Sequence, residues 1–310
     1  MEWWPVMSDE QNSNRSAQDE DSQSKNEDGA RAQNIIFNQP VDHRGTQLYV
    51  KCWLVPESAK PPIVIVHDVG DSLGSYRELT KGLVDRGFST IVFDLRGHGR
   101  SGRVLGHIEN FQDLCSDLLQ VVAWVKFKCD RKVPIIFSHG ISAGIVLSFM
   151  KRNPRFCRGA ILVEPNLSPG VGKWKRVLVR VLSEIAPRFK IPKSLALGMT
   201  DSNERSLSDV SSKFADEVLT SLQSLDFRSD EILCPCFLVR DKSGESDQIF
   251  FESERVKNVL VEIGNIYSLL DDRVGELLDH IEAWVPSMME IPLGGSETEA
   301  SRDFFDSESL

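Results

Sequence analysis

The chain has 310 residues, 41% of them hydrophobic and 26% charged, enough for one large globular domain or two small ones. Six cysteines are too few for a dense disulfide framework, no run nears the roughly 18 apolar residues of a membrane span, and the opening Met-Glu-Trp-Trp-Pro has neither the basic nor the apolar region of a secretory leader. The net charge of −10 is carried by residues 1–33 and 287–310, at −5 each, so the balanced stretch 34–286 offers no basic field to nucleic acid.

Residues 1–33 are rich in Ser, Asn, Gln, Asp and Glu and are expected to be a disordered acidic tail, as are residues 287–310. Trp3-Trp4 and Phe304-Phe305 are apolar spots in these tails and are candidates for docking a protein partner. The absence of a secretory signal implies reduced thiols and a cytoplasmic protein.

Between the tails, short apolar runs predict strands at Ile63–His67, Thr90–Asp94, Pro134–Ser138, Ala160–Val163, Cys236–Val239 and Asn258–Ile263. Phe111, Leu114, Leu118, Val121, Val122 and Val125 fall at helical spacing, as do Val274, Leu277, Leu278, Ile281, Trp284 and Val285. Repeated strand–helix alternation implies an α/β doubly wound sheet. The alternation breaks between Pro165 and about Ser229, where helical rather than strand character predicts a cap or lid. Trp174, Val177, Leu178, Val181, Leu182 and Ile185 make one amphipathic helix ending near Pro187. The stretch 173–193 has seven bases and only Glu184 as an acid. Its ordinary reading is a lid helix packed on the core with its other face solvated; peripheral contact with an anionic membrane is the alternative.

Several stretches then carry a resemblance. They are Ile63-Val-Ile-Val-His67, Gly70-Asp-Ser-Leu-Gly-Ser-Tyr76, Phe93-Asp-Leu-Arg-Gly-His-Gly-Arg-Ser101 and Gly106-His-Ile-Glu-Asn-Phe-Gln-Asp113. From about Asp42 to Val285 the chain resembles the α/β-hydrolase fold, and within it the monoglyceride lipase and lysophospholipase-like (serine aminopeptidase S33-type) branch. The resemblance implies a mostly parallel central sheet flanked by helices. The core would comprise residues 34–165 and 229–286, with a helical cap over 166–228. It also implies ester hydrolysis by a Ser nucleophile, a His base, an Asp and a backbone oxyanion hole, with no cofactor and no metal.

Each catalytic position departs from that pattern. Gly140-Ile-Ser-Ala-Gly144 is a literal Gly-x-Ser-x-Gly, which would make Ser142 the nucleophile and the Ala143 N–H an oxyanion donor. Counting back without gaps from Asn153-Pro154 and Gly159–Pro165 instead puts Gly140 at the nucleophile position and gives Ile141 the oxyanion role. Ser142 is then a small packing residue, and this gapless register is preferred. Glycine suits a strained turn because it tolerates positive φ. Tyr267 stands where the family has its His, and a phenol is a poor base at neutral pH.

The family Asp falls on Gly244; Asp247 fits if three residues are inserted, and Glu245, Asp247, Glu252 and Glu254 also read as a solvated acidic loop. Asp68 replaces the Gly of the oxyanion loop, leaving the Val69 N–H as its donor beside a carboxylate. His67 and His98 read as structural histidines, His139 as a hydrogen-bonded core imidazole and His280 as solvated. Cys234-Pro-Cys236 lacks the spacing of a zinc site, and there is no phosphate loop or dinucleotide fingerprint.

The expected function is therefore that of a pseudohydrolase. It would keep a lidded apolar pocket for a lipid-like or other apolar ligand, or serve as a scaffold. The alternative is an active serine esterase or lipase using Ser142, with Asp247 or Glu245 as its acid and a base the sequence does not name.

Overall fold

The computed structural model describes residues 33–40, 46–102, 104–199, 207–225, 233–241, 255–261, 270 and 273–291. Runs of β-branched and aliphatic residues build its main sheet from β1 (Gln33–Pro40), β2 (Gln47–Leu54), β3 (Ile63–Val66), β4 (Thr90–Phe93), β5 (Ile135–His139), β6 (Gly159–Val163), β9 (Cys236–Asp241) and β10 (Val256–Val261). Their spatial order is β1-β2-β4-β3-β5-β6-β9-β10. The pairs β1/β2 and β2/β4 are antiparallel and every other pair is parallel. The six predicted strands correspond to β3, β4, β5, β6, β9 and β10. No apolar run predicts a strand before Ile63; β1 and β2 form an antiparallel edge whose mixed polarity lacks the continuous apolar runs of the parallel strands.

The described α-helices are α1 (Arg77–Asp85), α2 (Phe111–Lys128), α3 (Ala143–Arg152), α4 (Lys173–Ile185), α5 (Lys193–Ala196), α6 (Ser212–Ser224) and α7 (Val274–Met289), with 3₁₀ turns at Leu73–Tyr76, Gly140–Ser142 and Pro154–Phe156. Alternation along the strands divides the core in two. Val64, Val66, Ile136, Ala160, Leu162 and Leu238 face one side, where α2, α3 and the cap cover them. Ile63, Ile65, Ile135, Phe137, Ile161, Val163, Phe237 and Val239 face the other, against Leu79 and Leu83 of α1 and Leu277, Leu278, Ile281 and Trp284 of α7. The architecture is a mostly parallel sheet flanked by helices, the α/β-hydrolase arrangement.

The segment expected to be wholly helical also contains two short strands, β7 (Lys190–Pro192) and β8 (Asp209–Ser211), paired antiparallel. Three-residue strands are too short to leave a period in the sequence, so the helical expectation is corrected here. A second correction concerns α4. Only Leu182 of its predicted apolar face turns inward; Trp174, Val177, Leu178, Val181 and Ile185 are exposed, while Val179 and Ser183 are buried.

Candidate functional site

The parallel strands end together at their C-terminal edge, where open α/β sheets present their sites. β3 delivers His67, Asp68 and Val69 there, and β5 delivers His139 and Gly140. His139 is still extended (φ −136°), and Gly140 turns at φ +63° into the 3₁₀ turn Gly140–Ser142 that leads into α3. Gly140 is thus the strand-to-helix elbow. Ser142 lies past it, in right-handed helical conformation (φ −64°), fully buried.

The Ser142 hydroxyl donates to the His139 carbonyl at 2.7 Å and lies 3.3 Å from the Val66 carbonyl. The Ala143 N–H reaches back to the Gly140 and Ile141 carbonyls in the helical ladder. The structure therefore does not bring Ser142 and Ala143 into the nucleophile and oxyanion-donor positions of the literal motif. A serine two residues beyond the turn is wound into the first turn of helix, which is the physical reason.

The Asp68 carboxyl fills the space above the elbow. It is almost completely buried, and its Oδ1 accepts the Val69 N–H at 2.8 Å and the Ser142 N–H at 3.2 Å. The Ile141 N–H, the donor that follows the elbow residue, also bonds this carboxyl. Asp68 Cγ lies 2.6 Å from the point where a Cβ on Gly140 would stand. The N–H groups that could cradle a developing oxyanion hold a protein carboxyl instead. Burial, and then the charge of Asp71, push that carboxyl up to about 8, while the N–H bonds from Val69, Ser142 and Ile141 favour its ionised form.

Tyr76 ties this loop to β5. Its hydroxyl oxygen accepts the Asp68 N–H at 3.0 Å and is hydrogen-bonded with His139 Nδ1 at 3.1 Å. Burial lowers His139 to about 4, which keeps the ring neutral. His67 Nε2 accepts the Leu95 N–H and its Nδ1 donates to the Asp68 carbonyl; His98 Nε2 accepts the Gly70 N–H and its Nδ1 donates to the Arg96 carbonyl. Both rings thus hold backbone together, and burial lowers them to about 4 and about 3. The Arg-Gly-His-Gly stretch is likewise structural. Arg96 grips Asp117 of α2 through two hydrogen bonds of 2.9 and 2.6 Å, and Asp94 accepts the N–H groups of Leu73 and Arg100.

The cap closes over this edge. Lys193, counted in the sequence among the bases of the lid, is 1% exposed, and its Nζ lies 2.9 Å from where a Gly70 Cβ would stand. The Leu207 N–H donates to the Gly70 carbonyl. Leu222 of α6 sits against Gly144 so closely that a Cβ there would overlap it, with Leu225 and Leu167 beside it. From the other side, the Asn166 N–H donates to the Gly140 carbonyl at 3.0 Å. Two surface cavities, of about 220 and 190 Å³, lie elsewhere, one between α2, α3 and α6 and one beside Pro56 and Lys132; neither is lined by Asp68, His139 or Gly140. No pattern in the sequence marks Lys193, whose neighbours in the chain are ordinary lid residues, and Tyr76 at the end of Gly70–Tyr76 carries no signal of its role.

Tyr267, Gly244, Asp247 and Glu245, residues 1–32 and 292–310 and the Trp3-Trp4 and Phe304-Phe305 pairs lie outside the described residues. The expected tail boundaries are corrected: Gln33 opens β1, and residues 287–289 complete α7, with Met288 buried against the sheet. His280 is exposed on α7. All six cysteines are free thiols, and no described helix is long and apolar enough to cross a membrane.

Residues 57–252 match the family model described as serine aminopeptidase, S33. Phospholipase YtpA of Bacillus subtilis is 30% identical over 147 residues, 46% of this chain and 55% of that protein. Monoglyceride lipase of Rattus norvegicus is 28% identical over 166 residues, 53% of each chain. The chain spans about half the length of these curated relatives. A soluble variant of monoglyceride lipase from Saccharomyces cerevisiae, solved in complex with a substrate analog, superposes with a TM-score of 0.64 at 15% identity, covering 85% of this chain and 96% of that one. At that identity the likeness is one of fold.

Proposed function

Because the chain belongs to the serine aminopeptidase S33 family of α/β-hydrolase-fold proteins, we propose that it is a non-catalytic member of that family, acting as a binding or scaffold protein. The observation that carries this reading is the Asp68 carboxyl, seated on the Val69, Ile141 and Ser142 N–H groups above a side-chain-free elbow at Gly140. An acyl group could be polarised there only after displacing a buried carboxyl, and no hydroxyl at the elbow would attack it. Tyr267 in place of the family His points the same way, since triad members act as a unit and loss of one removes most of the rate.

Relatives named as phospholipases and monoglyceride lipases make a glycerolipid-like molecule the ligand class for the binding version. Lys193 packed on Gly70 and Leu222 packed on Gly144 seat the cap against the loop after β3 and the start of α3, which favours the scaffold version. Six free thiols fit a reducing, intracellular setting.

The Ser142 esterase reading rests on the literal Gly-Ile-Ser-Ala-Gly and on the family. It would require Ser142 to leave the His139 carbonyl and come out of a fully buried position. The test is hydrolysis of p-nitrophenyl butyrate by the purified full chain. The proposal expects no saturable release above buffer; saturable turnover that Ser142→Ala abolishes contradicts it.

A further inference from the structure

Three of the six thiols meet at one place. Cys157 follows the 3₁₀ turn Pro154–Phe156 and precedes β6, while Cys234 and Cys236 stand at the entrance of β9. β6 and β9 are parallel partners with Ala160 opposite Cys236, so their entrances lie side by side. Cys234 Sγ donates to the Cys157 carbonyl at 3.2 Å and lies 3.3 Å from the Pro154 carbonyl; the Cys157 and Cys234 thiols are also hydrogen-bonded to each other. Cys236 Sγ turns to the Cys234 carbonyl at 3.6 Å.

Neighbouring strands run about 4.8 Å apart and a disulfide joins Cα atoms roughly 4.4–6.8 Å apart, so thiols at two adjacent strand entrances can bond with little movement of the sheet. A bond from Cys234 to Cys236 would instead close a strained ring across Pro235 alone. The two thiols of the favoured pair differ in acidity. The Cys157 hydrogen bond, and then the Arg255 and Arg158 guanidinium groups, draw Cys234 below the ordinary thiol value against the effect of burial, whereas burial pushes Cys157 well above it. Cys234 is buried, but Leu233 beside it is exposed, and half-buried Arg255 bonds the Leu233 carbonyl; the thiol lies one residue beneath the surface. Among the described residues no three His, Cys, Asp or Glu side chains are arranged to hold a metal ion, so the geometry offers a dithiol rather than a metal site.

We infer that Cys234 and Cys157 are a peroxide-oxidisable dithiol that closes a reversible disulfide at the root of the cap. The Cys234 thiolate attacks one oxygen of hydrogen peroxide and the O–O bond breaks. The departing hydroxide takes up the proton that the thiol had released, leaving water and a sulfenic acid on Cys234. The Cys157 sulfur then attacks the Cys234 sulfur; the S–S bond forms, the S–O bond breaks, and hydroxide leaves with the Cys157 proton as a second water. Two thiols and one peroxide give one disulfide and two waters, the two sulfurs supplying the two electrons. The bond joins residues 77 positions apart, and the chain between them holds β6 and the whole cap. Because the cap is inserted between β6 and β9, oxidation ties together the two strands that carry it. The chemistry does not depend on whether the elbow is catalytic.

The experiment exposes the reduced, natively folded full chain to excess hydrogen peroxide, blocks remaining thiols with N-ethylmaleimide in denaturant, and maps the digest by mass spectrometry without reductant. Free thiols are expected to fall from six to four, with one linked peptide pair joining Cys157 to Cys234, and dithiothreitol should return the count to six. The thermal midpoint should rise on oxidation, since a cross-link around a long loop restricts the unfolded chain. Cys157→Ala is expected to abolish the linked pair and leave Cys234 as a sulfenic acid that dimedone traps; Cys236→Ala should leave the pair intact. The wild-type map is decisive by itself if a variant at these buried sites fails to fold. A count that stays at six overturns the proposal, as does a link from Cys234 to Cys236. Oxidation confined to Cys129, the cysteine that is only half-buried, overturns it too, and so does a thermal midpoint that falls on oxidation.

Discussion

Asp68 and Gly140 occupy one another's space: the carboxyl carbon of Asp68 lies 2.6 Å from where any side chain on Gly140 would begin. Asp68 and Gly140, read in the sequence as standing at the family's oxyanion-loop Gly and nucleophile positions, are thus sterically matched, although they are 72 positions apart. Restoring either alone creates a conflict or a hole.

That coupling is measurable by a double-mutant cycle. Gly140→Ser is expected to cost about 2–4 kcal/mol, from the overlap with Asp68 and from a non-glycine residue at φ +63°. Asp68→Gly in the same chain should recover at least about 1 kcal/mol of this, although Asp68→Gly alone leaves N–H groups without their acceptor and destabilises. Urea midpoints of the four variants decide the matter; strictly additive effects would mean the two positions do not share space.

The buried ionisable groups predict a stability maximum near neutrality, with opposite causes on its two sides. Asp68 is raised to about 8, so between its unfolded value near 4 and about 8 the native chain holds a proton that the unfolded chain has released, and stability falls as pH rises through that window. His67, His98 and His139 are lowered to about 4, 3 and 4, so from about 6.5 downward the unfolded chain binds protons that the native chain refuses, and stability falls as pH falls. Below about 6.5 three histidines outweigh the aspartate; between there and about 8 the Asp68 contribution sets the decline, and above about 8 the buried thiols of Cys52, Cys115, Cys129, Cys157 and Cys236, all raised by burial, add to it. Thermal midpoints from pH 5 to 8 are expected to peak near about 6.5, and Asp68→Asn should flatten the decline between about 6.5 and 8.

Arg96 and Asp117 are predicted to be a structural pair whose loss is costly. Asp117 is fully buried and the pair is bidentate, so Asp117→Ala removes the carboxylate that balances the guanidinium and should cost about 3–5 kcal/mol in chemical unfolding. A loss below about 1 kcal/mol would show that the loop carrying Arg-Gly-His-Gly is held by its other bonds, those of Asp94, His98 and Thr46.

On the sequence register that sets Tyr267 at the family His position, Tyr267→His restores the imidazole but supplies no nucleophile. Alone it is expected to leave p-nitrophenyl ester hydrolysis at the background rate. Appreciable turnover from this single change would mean that a nucleophile is already present in the chain.

The parallel strands were legible because both of their faces are buried, which writes continuous apolar runs such as Ile63–Val66 and Ile135–Phe137 into the sequence. The antiparallel edge β1/β2 and the three-residue pair β7/β8 were not, since an edge or a very short strand leaves no such run. Helical spacing located α4 but could not say which side it buries; the period fixes an apolar stripe, and only tertiary packing decides whether the stripe meets the core. At the elbow, counting from Asn153-Pro154 favoured Gly140 over Ser142 as the turn residue, and the turn lies at Gly140. What the sequence could not supply was the direction of the Asp68 side chain, inward onto three N–H groups rather than out to solvent, or the burial of Lys193 against Gly70. Both depend on residues remote in the chain.

The most direct test of the occupied oxyanion cradle is fluorophosphonate labelling of the purified full chain, run beside Ser142→Ala and Asp68→Gly. With the elbow empty and its N–H groups engaged by Asp68, no serine should be phosphonylated in any of the three proteins. Stoichiometric labelling of the wild-type chain that Ser142→Ala eliminates would contradict the account.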